Sequence, residues 1–188
     1  MLTRSFFHSS TIDFQIANPD AIFGALAANL SFDIVPQQKS AWKFQIDHLI
    51  QISNRLPDGH VFLEFLIPRM GKRVDTVVLY KGLIFVVEYK VGKKDFSRHD
   101  EEQVASYALD LKNFHETSHS RLIFPILVAT NSKNVVNRIE VSSDGVAEVI
   151  RTNQHGLLHE ILSISSQFTS ESIDPIDWME GRYKPTPT

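Results

Sequence analysis

Several features are missing from this sequence of 188 residues, and each absence excludes a class of protein. There is no cysteine, so disulfide bonds and thiolate metal sites are excluded. No apolar run approaches the roughly 20 residues that cross a bilayer, and the first residues lack the apolar segment of a signal peptide. We therefore expect a cytoplasmic protein without a membrane partner. The net charge of −3 argues against a generally basic nucleic-acid binder.

Charged side chains interrupt three apolar, strand-like runs within residues 61–90. Glu64 lies within VFLEFLI, Asp75 within RVDTVVLY, and both Glu88 and Lys90 within LIFVVEYK. An isolated carboxylate in a dry sheet is costly, so buried charges are usually paired with another charge or with a metal ion. These charges are therefore the first candidates for a functional site.

The spacing of these charges predicts that they converge. Glu88 and Lys90 are two residues apart on one predicted strand, so their side chains project from the same face. Lys81-Gly82 predicts a tight hairpin, which would place Asp75 beside Glu88 on the neighbouring strand. Two adjacent carboxylates repel each other unless a cation lies between them, and oxygen ligands favour Mg²⁺ or Mn²⁺. A lysine beside the metal can orient an attacking water.

The periodicity of the whole chain predicts an α/β fold in which helices flank a mixed β-sheet. We predict one domain over residues 37–168, preceded by an N-terminal extension (1–36) with a short helix and followed by a linker or tail (169–188). The predicted helices cover about 20–29, 38–54, 99–114 and 155–168, and the predicted strands cover about 60–67, 73–80, 83–91, 121–130 and 146–150.

Asp75 followed by Glu88-Tyr89-Lys90 resembles the signature of the PD-(D/E)XK nuclease superfamily, and the predicted order helix, three-strand meander, helix and strand resembles its restriction-endonuclease-like core. Glu64 resembles the upstream acid of that superfamily. Gln103 and Tyr107 resemble the QxxxY motif of its RecB-like branch. One departure is that Val74, and not proline, precedes Asp75.

This resemblance implies a metal-dependent nuclease. It implies that Glu64, Asp75, Glu88 and the backbone carbonyl of Tyr89 hold Mg²⁺ or Mn²⁺, and that Lys90 positions the water. Gln103 and Tyr107 would support the site or contact the substrate. The implied partner is a nucleic acid, DNA in preference to RNA.

A longer stretch is more specific still. The segments KRVDTVVLYKGLIFVVEYKVG, DEEQVASYALDLKNFHE and PILVATN resemble the N-terminal nuclease-like domain of large bacterial proteins that continue into a Schlafen-type superfamily I helicase. The resemblance implies that WMEGRYKPTPT leads into a C-terminal helicase domain of the same polypeptide. The sequence itself has no G-x-x-x-x-G-K-S/T loop, so we expect no NTP hydrolysis from it.

A basic segment surrounds the predicted carboxylates. Residues 69–98 contain eight basic and three acidic residues, an excess of five positive charges. A site that handles a polyanion needs such an excess, although lysines are also common at exposed sheet edges. The residues we expect to contact substrate are Lys72, Arg73, Lys93 and Lys94.

Three alternatives stay open at this point. The nuclease fold could serve as a binding or docking module with little or no catalysis. His115 and His119 match the HExxH pattern of zinc proteases, but the helix that carries them is expected to end there. His48 could approach the metal, or could be an ordinary, partly exposed helix residue.

Overall fold

A six-stranded mixed sheet forms the centre of the molecule. The computed structural model describes residues 4–187. The strands follow one another across the sheet in chain order. Each of the first four is antiparallel to the next within that group, and the last two run parallel to the fourth. They are β1 (Phe7–Ser10), β2 (His60–Leu66), β3 (Arg73–Tyr80), β4 (Leu83–Lys90), β5 (Ile123–Ala129) and β6 (Ile150–Thr152).

Helices cover both faces of this sheet, so the predicted α/β class is confirmed. Apolar residues of the first three helices and of the fifth form one core on one face, and residues of the fourth and sixth form a second core on the other. The helices are α1 (Thr11–Phe14), α2 (Pro19–Ala28), α3 (Pro36–Ser53), α4 (Arg98–Phe114), α5 (Leu157–Gln167) and α6 (Pro175–Met179).

The meander β2–β3–β4 has the bounds that its alternating apolar pattern predicts, within one residue at each end. Lys81 and Gly82 both have positive φ, 49° and 75°, as a two-residue type I′ hairpin requires. A Cβ atom on Gly82 would collide with the backbone carbonyl oxygens of Ser170 and Glu171, so this glycine also admits the chain that crosses over the turn. From β4 the chain crosses through α4 into the parallel strand β5.

The N-terminal segment belongs to the same core as the rest of the chain. Strand β1 pairs with β2 at the sheet edge. Phe14, Ile22 and Leu26 lie fully buried in the core that α3 and α5 also form. Asn18 accepts hydrogen bonds from the first amides of α2 and caps this helix. The core therefore shows no break at residue 36.

The C-terminal segment also packs on the domain. Trp178 of α6 is 1% exposed and lies against Phe62 and Phe65 of β2. Its indole N–H donates to the hydroxyl of Ser118 at 3.0 Å. Further along, the amide of Lys184 donates to the carbonyl of Phe114 at 2.9 Å. Residues 170–187 are thus held by packing and hydrogen bonds, as a free linker would not be.

The histidines of the HExxH pattern do not share a helix. Helix α4 ends at Phe114, His115 has an extended backbone, and a 3-10 turn follows over Glu116–Ser118. His115 is fully buried between Phe65 and Trp178, and its Nδ1 lies 2.7 Å from the hydroxyl of Ser118. This geometry gives His115 a packing role and leaves the zinc-protease reading without a structural basis.

None of the helices in residues 4–187 is both long and apolar enough to cross a membrane.

The burial of Trp178 predicts a large loss of stability on truncation. We expect Trp178→Ala to lower the free energy of unfolding by about 3–5 kcal/mol, because it removes a buried indole and leaves a cavity against β2. Urea unfolding followed by circular dichroism measures the change. Ile176→Ala in the same short helix is the matched control, since Ile176 is 44% exposed and its loss should cost less than about 0.5 kcal/mol. Equal effects of the two substitutions would contradict the packed tail.

The buried His115 predicts a loss of stability in acid. Burial and then the charge of Arg4 lower the pKa of His115 to about 3. Unfolded histidine titrates near 6.5, so protons favour the unfolded chain as the pH falls from about 6.5 toward 3. At pH 5 this group should cost about 2 kcal/mol relative to neutral pH.

Urea unfolding at pH 7 and pH 5 tests the point. The variant His115→Gln should lose about 2 kcal/mol less than the parent on acidification. His159→Gln, on the exposed side of α5, should lose as much as the parent. Parallel losses in parent and His115→Gln would show that this histidine does not titrate as described.

Candidate active site

The register of the meander brings two carboxylates together. Thr76 pairs with Val87, so one step further along the two strands Asp75 lies opposite Glu88. Their carboxyl groups interact directly. Oδ2 of Asp75 also accepts the backbone N–H of Tyr89 at 3.0 Å, which replaces a ladder hydrogen bond by a side-chain one. The sequence-predicted adjacency of these two acids is therefore present.

Beside Asp75 and Glu88, the regular alternation of side chains between the two faces of β2 is interrupted. Leu63 packs in one core and Phe65 in the other, although residues two apart on a regular strand share a face. Between them Glu64 has a φ of 53°, in the left-handed region that a non-glycine residue seldom adopts. On β3 the same switch separates Val74 from Val78. Backbone strain of this kind tends to be stored at functional sites.

Lys90 lies at the centre of a polar network on the α4 side. Its ammonium donates to Glu88 Oε1 at 3.1 Å and to Gln103 Oε1 at 2.7 Å. The amide nitrogen of Gln103 then donates to the hydroxyl of Tyr107 at 2.9 Å. One helical turn separates Gln103 from Tyr107, so α4 presents both on the face toward Lys90. The structure thus brings together four of the residues that the sequence singled out.

The protonation of the two acids reflects their burial. Burial raises the pKa of Asp75, even though the Tyr89 N–H and the charge of Lys90 oppose this. Burial, and then the charge of Asp75, raises the pKa of Glu88 well above its usual range. Asp75 keeps partial solvent exposure although protein atoms surround it densely, whereas Glu88 is 4% exposed. Either a proton or a cation is needed to relieve the repulsion between them.

Lys90 stays an ammonium ion. Burial lowers its pKa, but the charge of Glu88 and the hydrogen bond to it outweigh burial, so the pKa of Lys90 is raised. A group in this state donates hydrogen bonds and does not accept a proton at neutral pH. Lys90 can therefore orient a water or neutralise charge, but it cannot act as the base.

Glu64 lies beside this cluster and is held from the opposite face. Its Oε1 accepts the indole N–H of Trp42, on α3, at 2.8 Å. Burial and then the charge of Asp75 raise the pKa of Glu64 to about 7. Its carboxyl is thus electrostatically linked to Asp75 while its hydrogen bond fixes it toward α3.

The four predicted substrate-binding residues have different surroundings. Lys72 pairs with Asp110 at 2.9 Å. Arg73 donates to the backbone carbonyl of Glu64 at 2.7 Å and stacks over Phe6. These two are held on the β3 side of the site.

Lys93 and Lys94 follow β4 and are exposed. Lys93 pairs with Asp100 at 2.8 Å, and its side chain remains 51% exposed. Asp100 is a site residue that the sequence analysis missed: it is buried at the start of α4, and its Oδ1 lies 3.5 Å from the ammonium of Lys90. Although burial opposes it, hydrogen bonds from Lys93 and Ser97 lower the pKa of Asp100 to about 2. The Ser97-x-x-Asp100 spacing, typical of a helix N-cap, was the available signal.

His48 forms a hydrogen bond with Tyr89. Its Nε2 lies 2.7 Å from the carbonyl oxygen of Gln154, which can only accept, so this nitrogen carries the proton. Nδ1 then accepts from the hydroxyl of Tyr89 at 3.0 Å. Both ring nitrogens are engaged, so His48 holds β4 against α3 and is not free to reach a metal.

The chemistry of the carboxylates fits a divalent cation in part. Within residues 4–187, no three or more histidine, aspartate or glutamate side chains are grouped so as to hold a metal ion. Yet Oε2 of Glu88 is buried without a hydrogen-bond partner, next to the carboxyl of Asp75. An unsatisfied buried carboxylate oxygen is costly unless a cation or a proton reaches it. Asp75 and Glu88 thus form a suitable pair of hard oxygen ligands.

Comparison of the chain with family models, with curated proteins and with solved structures finds no match.

Proposed function

We propose that this domain is a metal-dependent nuclease of the PD-(D/E)XK type, with a restriction-endonuclease-like core, that hydrolyses phosphodiester bonds of nucleic acid. The observation that carries the proposal is the pair Asp75 and Glu88, whose repulsion and unsatisfied oxygen a bound cation would relieve, beside an ammonium that Gln103 holds in place. A Schlafen-type helicase domain in the same polypeptide, implied by the sequence resemblance, belongs to this proposal.

The proposed ligands of Mg²⁺ or Mn²⁺ are Asp75, Glu88 and the backbone carbonyl of Tyr89, with Glu64 beside them. When bound, such a cation supplies charge neutralisation and lowers the pKa of a coordinated water. The carboxyl group of Glu64 accepts a hydrogen bond from Trp42. We therefore propose that Glu64 becomes a ligand of the cation only when this hydrogen bond breaks.

Side chains of the protein orient the water, the phosphate and the strand that carries the site. Lys90, as a fixed ammonium, donates a hydrogen bond to the attacking water or to a non-bridging phosphate oxygen, where negative charge develops. Gln103 and Tyr107 hold the ammonium in position. His48 and Tyr89 fix the strand that carries Glu88 and Lys90. Because Lys90 is protonated, the proton of the attacking water leaves to solvent or to a carboxylate, and not to Lys90.

A second candidate function is a nucleic-acid-binding or docking module with little or no catalysis. Two observations favour it: Lys90 already forms ion pairs with Glu88 and Asp100, and no three-ligand cluster is formed among residues 4–187. Metal binding separates the two candidates, since a docking module has no need of a cation.

Metal binding should stabilise the parent domain and depend on Asp75. At a Mn²⁺ concentration about 100 times Kd, the melting temperature should rise by about 5–10 °C, as ligand linkage predicts for a domain of this size. Asp75→Asn should abolish the rise, because the amide keeps an oxygen for the Tyr89 N–H but loses the charge. Thermal unfolding with and without Mn²⁺ measures this.

Asp47→Asn, at an exposed position of α3, is the matched control and should melt with the same Mn²⁺-dependent rise as the parent. If Mn²⁺ leaves the parent unchanged, the carboxylate pair does not hold a metal and the docking module becomes the better account.

Cleavage should depend on Lys90. With Mg²⁺ or Mn²⁺, the parent should degrade at least one of linear DNA, circular DNA, single-stranded DNA and RNA. Lys90→Met keeps the aliphatic stem but removes the ammonium, and we expect it to reduce the cleavage rate by about 100- to 1,000-fold. Gel analysis of labelled substrates measures the rates.

Lys184→Met, in the C-terminal segment beside the last residue of α4, should cleave as fast as the parent. Cleavage by Lys90→Met at the parent's rate would remove Lys90 from the mechanism. Circular dichroism of each variant shows whether folding is preserved.

A further inference from the structure

An open groove leads to the carboxyl end of β4. Its walls come from residues 36–41, the first turns of α3, and from residues 89–93, where β4 passes into the turn before α4. Its volume is about 710 Å³. We call it the α3–β4 groove. Tyr89 and Lys90 lie in its wall, so it gives access to the candidate active site.

The charge of the α3–β4 groove suits a polyanion. Lys90 and Lys93 line it, and none of its described lining residues is acidic. The first turn of α3 contains no acid either. The acids that pair with these lysines, Glu88 and Asp100, are buried behind them, so the surface that a ligand meets is positive.

The reacting groups are recessed. Glu88 is 4% exposed, and the side chain of Lys90 is 18% exposed. A double helix is stiff over about 150 base pairs, so its phosphates cannot turn individually into a recess. A phosphate of a single strand can reach Lys90, because no partner strand holds it at the rim.

The rim adds apolar surface, which a single strand can use. Val91, which lines the groove, is 38% exposed, and Val35 at the start of α3 is 60% exposed. Positive grooves with exposed aromatic and apolar side chains bind single strands, whose unpaired bases stack or pack on them.

We propose that the α3–β4 groove binds a single-stranded segment of nucleic acid, with its phosphates on the Lys90 and Lys93 wall and its bases against the apolar rim. The inference rests on the proposed function and deepens it by naming the substrate class. It concerns binding, so it is tested without metal and without cleavage.

Fluorescence anisotropy in EDTA tests the groove. The probe is a labelled mixed-sequence oligonucleotide, either single-stranded or annealed as a blunt duplex. The parent should bind the single strand about tenfold or more tightly than the duplex. Ser40 is exposed on the α3 wall; Ser40→Glu should weaken single-strand binding about fivefold and Ser40→Lys should strengthen it by a similar factor.

Gln51→Glu is the control, because it adds the same charge at an exposed position near the other end of α3 and should leave binding unchanged. The inference is overturned if the duplex binds as tightly as the single strand, or if the two Ser40 variants bind like the parent. Groove-dependent binding without any cleavage in Mg²⁺ or Mn²⁺ would support the groove and refute catalysis. Cleavage that is unaffected by both Ser40 variants would support catalysis and refute the groove.

Discussion

The repulsion between Asp75 and Glu88 is the constraint on which the rest of this site depends. The antiparallel register of β3 and β4 places the two carboxyl groups side by side, and burial raises the pKa of both. Such a pair destabilises the folded chain unless positive charge or protons offset it. The surrounding residues hold this pair in place. The Tyr89 amide donates to Asp75, and the Lys90 ammonium donates to Glu88. Glu64, beside them, has an unusual backbone with positive φ.

Two layers of helices fix the pair from opposite faces. On one face, α4 supplies Gln103 and Asp100, which set the position and the charge of Lys90. On the other, α3 supplies Trp42 to Glu64 and His48 to the hydroxyl of Tyr89. At Glu64 a positive φ interrupts the alternation of β2, and Trp42 holds the side chain toward α3. A shift of either helix would therefore move Lys90 or Glu64, because Gln103 and Trp42 hold them through oriented hydrogen bonds of 2.7 and 2.8 Å.

Much of the fold follows from local pattern. The meander and α4 have strong periodicity, and Lys81-Gly82 has the chemistry of a type I′ turn, so their bounds were predicted within one or two residues. Strand β1 was not predicted, because FHSS has no alternation of its own and becomes a strand only by pairing with β2. Docking of the C-terminal segment depends on contacts between distant parts of the chain, such as those of Trp178 with β2 and of Lys184 with Phe114.

In the candidate site, too, some features follow from local sequence pattern and others depend on distant contacts. The proximity of Asp75 and Glu88 follows from a hairpin and a period of two, and that of Gln103 and Tyr107 from one helical turn. The direction of Glu64 could not be predicted, because its positive φ breaks the alternation on which such a prediction relies. The Ser97-x-x-Asp100 spacing places Asp100 at a helix start but does not show its contact with Lys90. His48 acts through contacts with elements far away in the sequence, which no local spacing reveals.

The energetic cost of the site bears on the choice between catalysis and docking. A module that used only its surface would be more stable with apolar residues at positions 75 and 88, because they would remove the repulsion and the unsatisfied oxygen. Positive charge for docking is available from exposed lysines such as Lys94, without any buried acid. The buried pair gives no advantage to surface binding, whereas a cation between the carboxylates would turn its cost into affinity. The energetic cost of the carboxylate pair therefore favours a metal-binding function over docking alone. The α3–β4 groove would be the route by which a substrate reaches the pair.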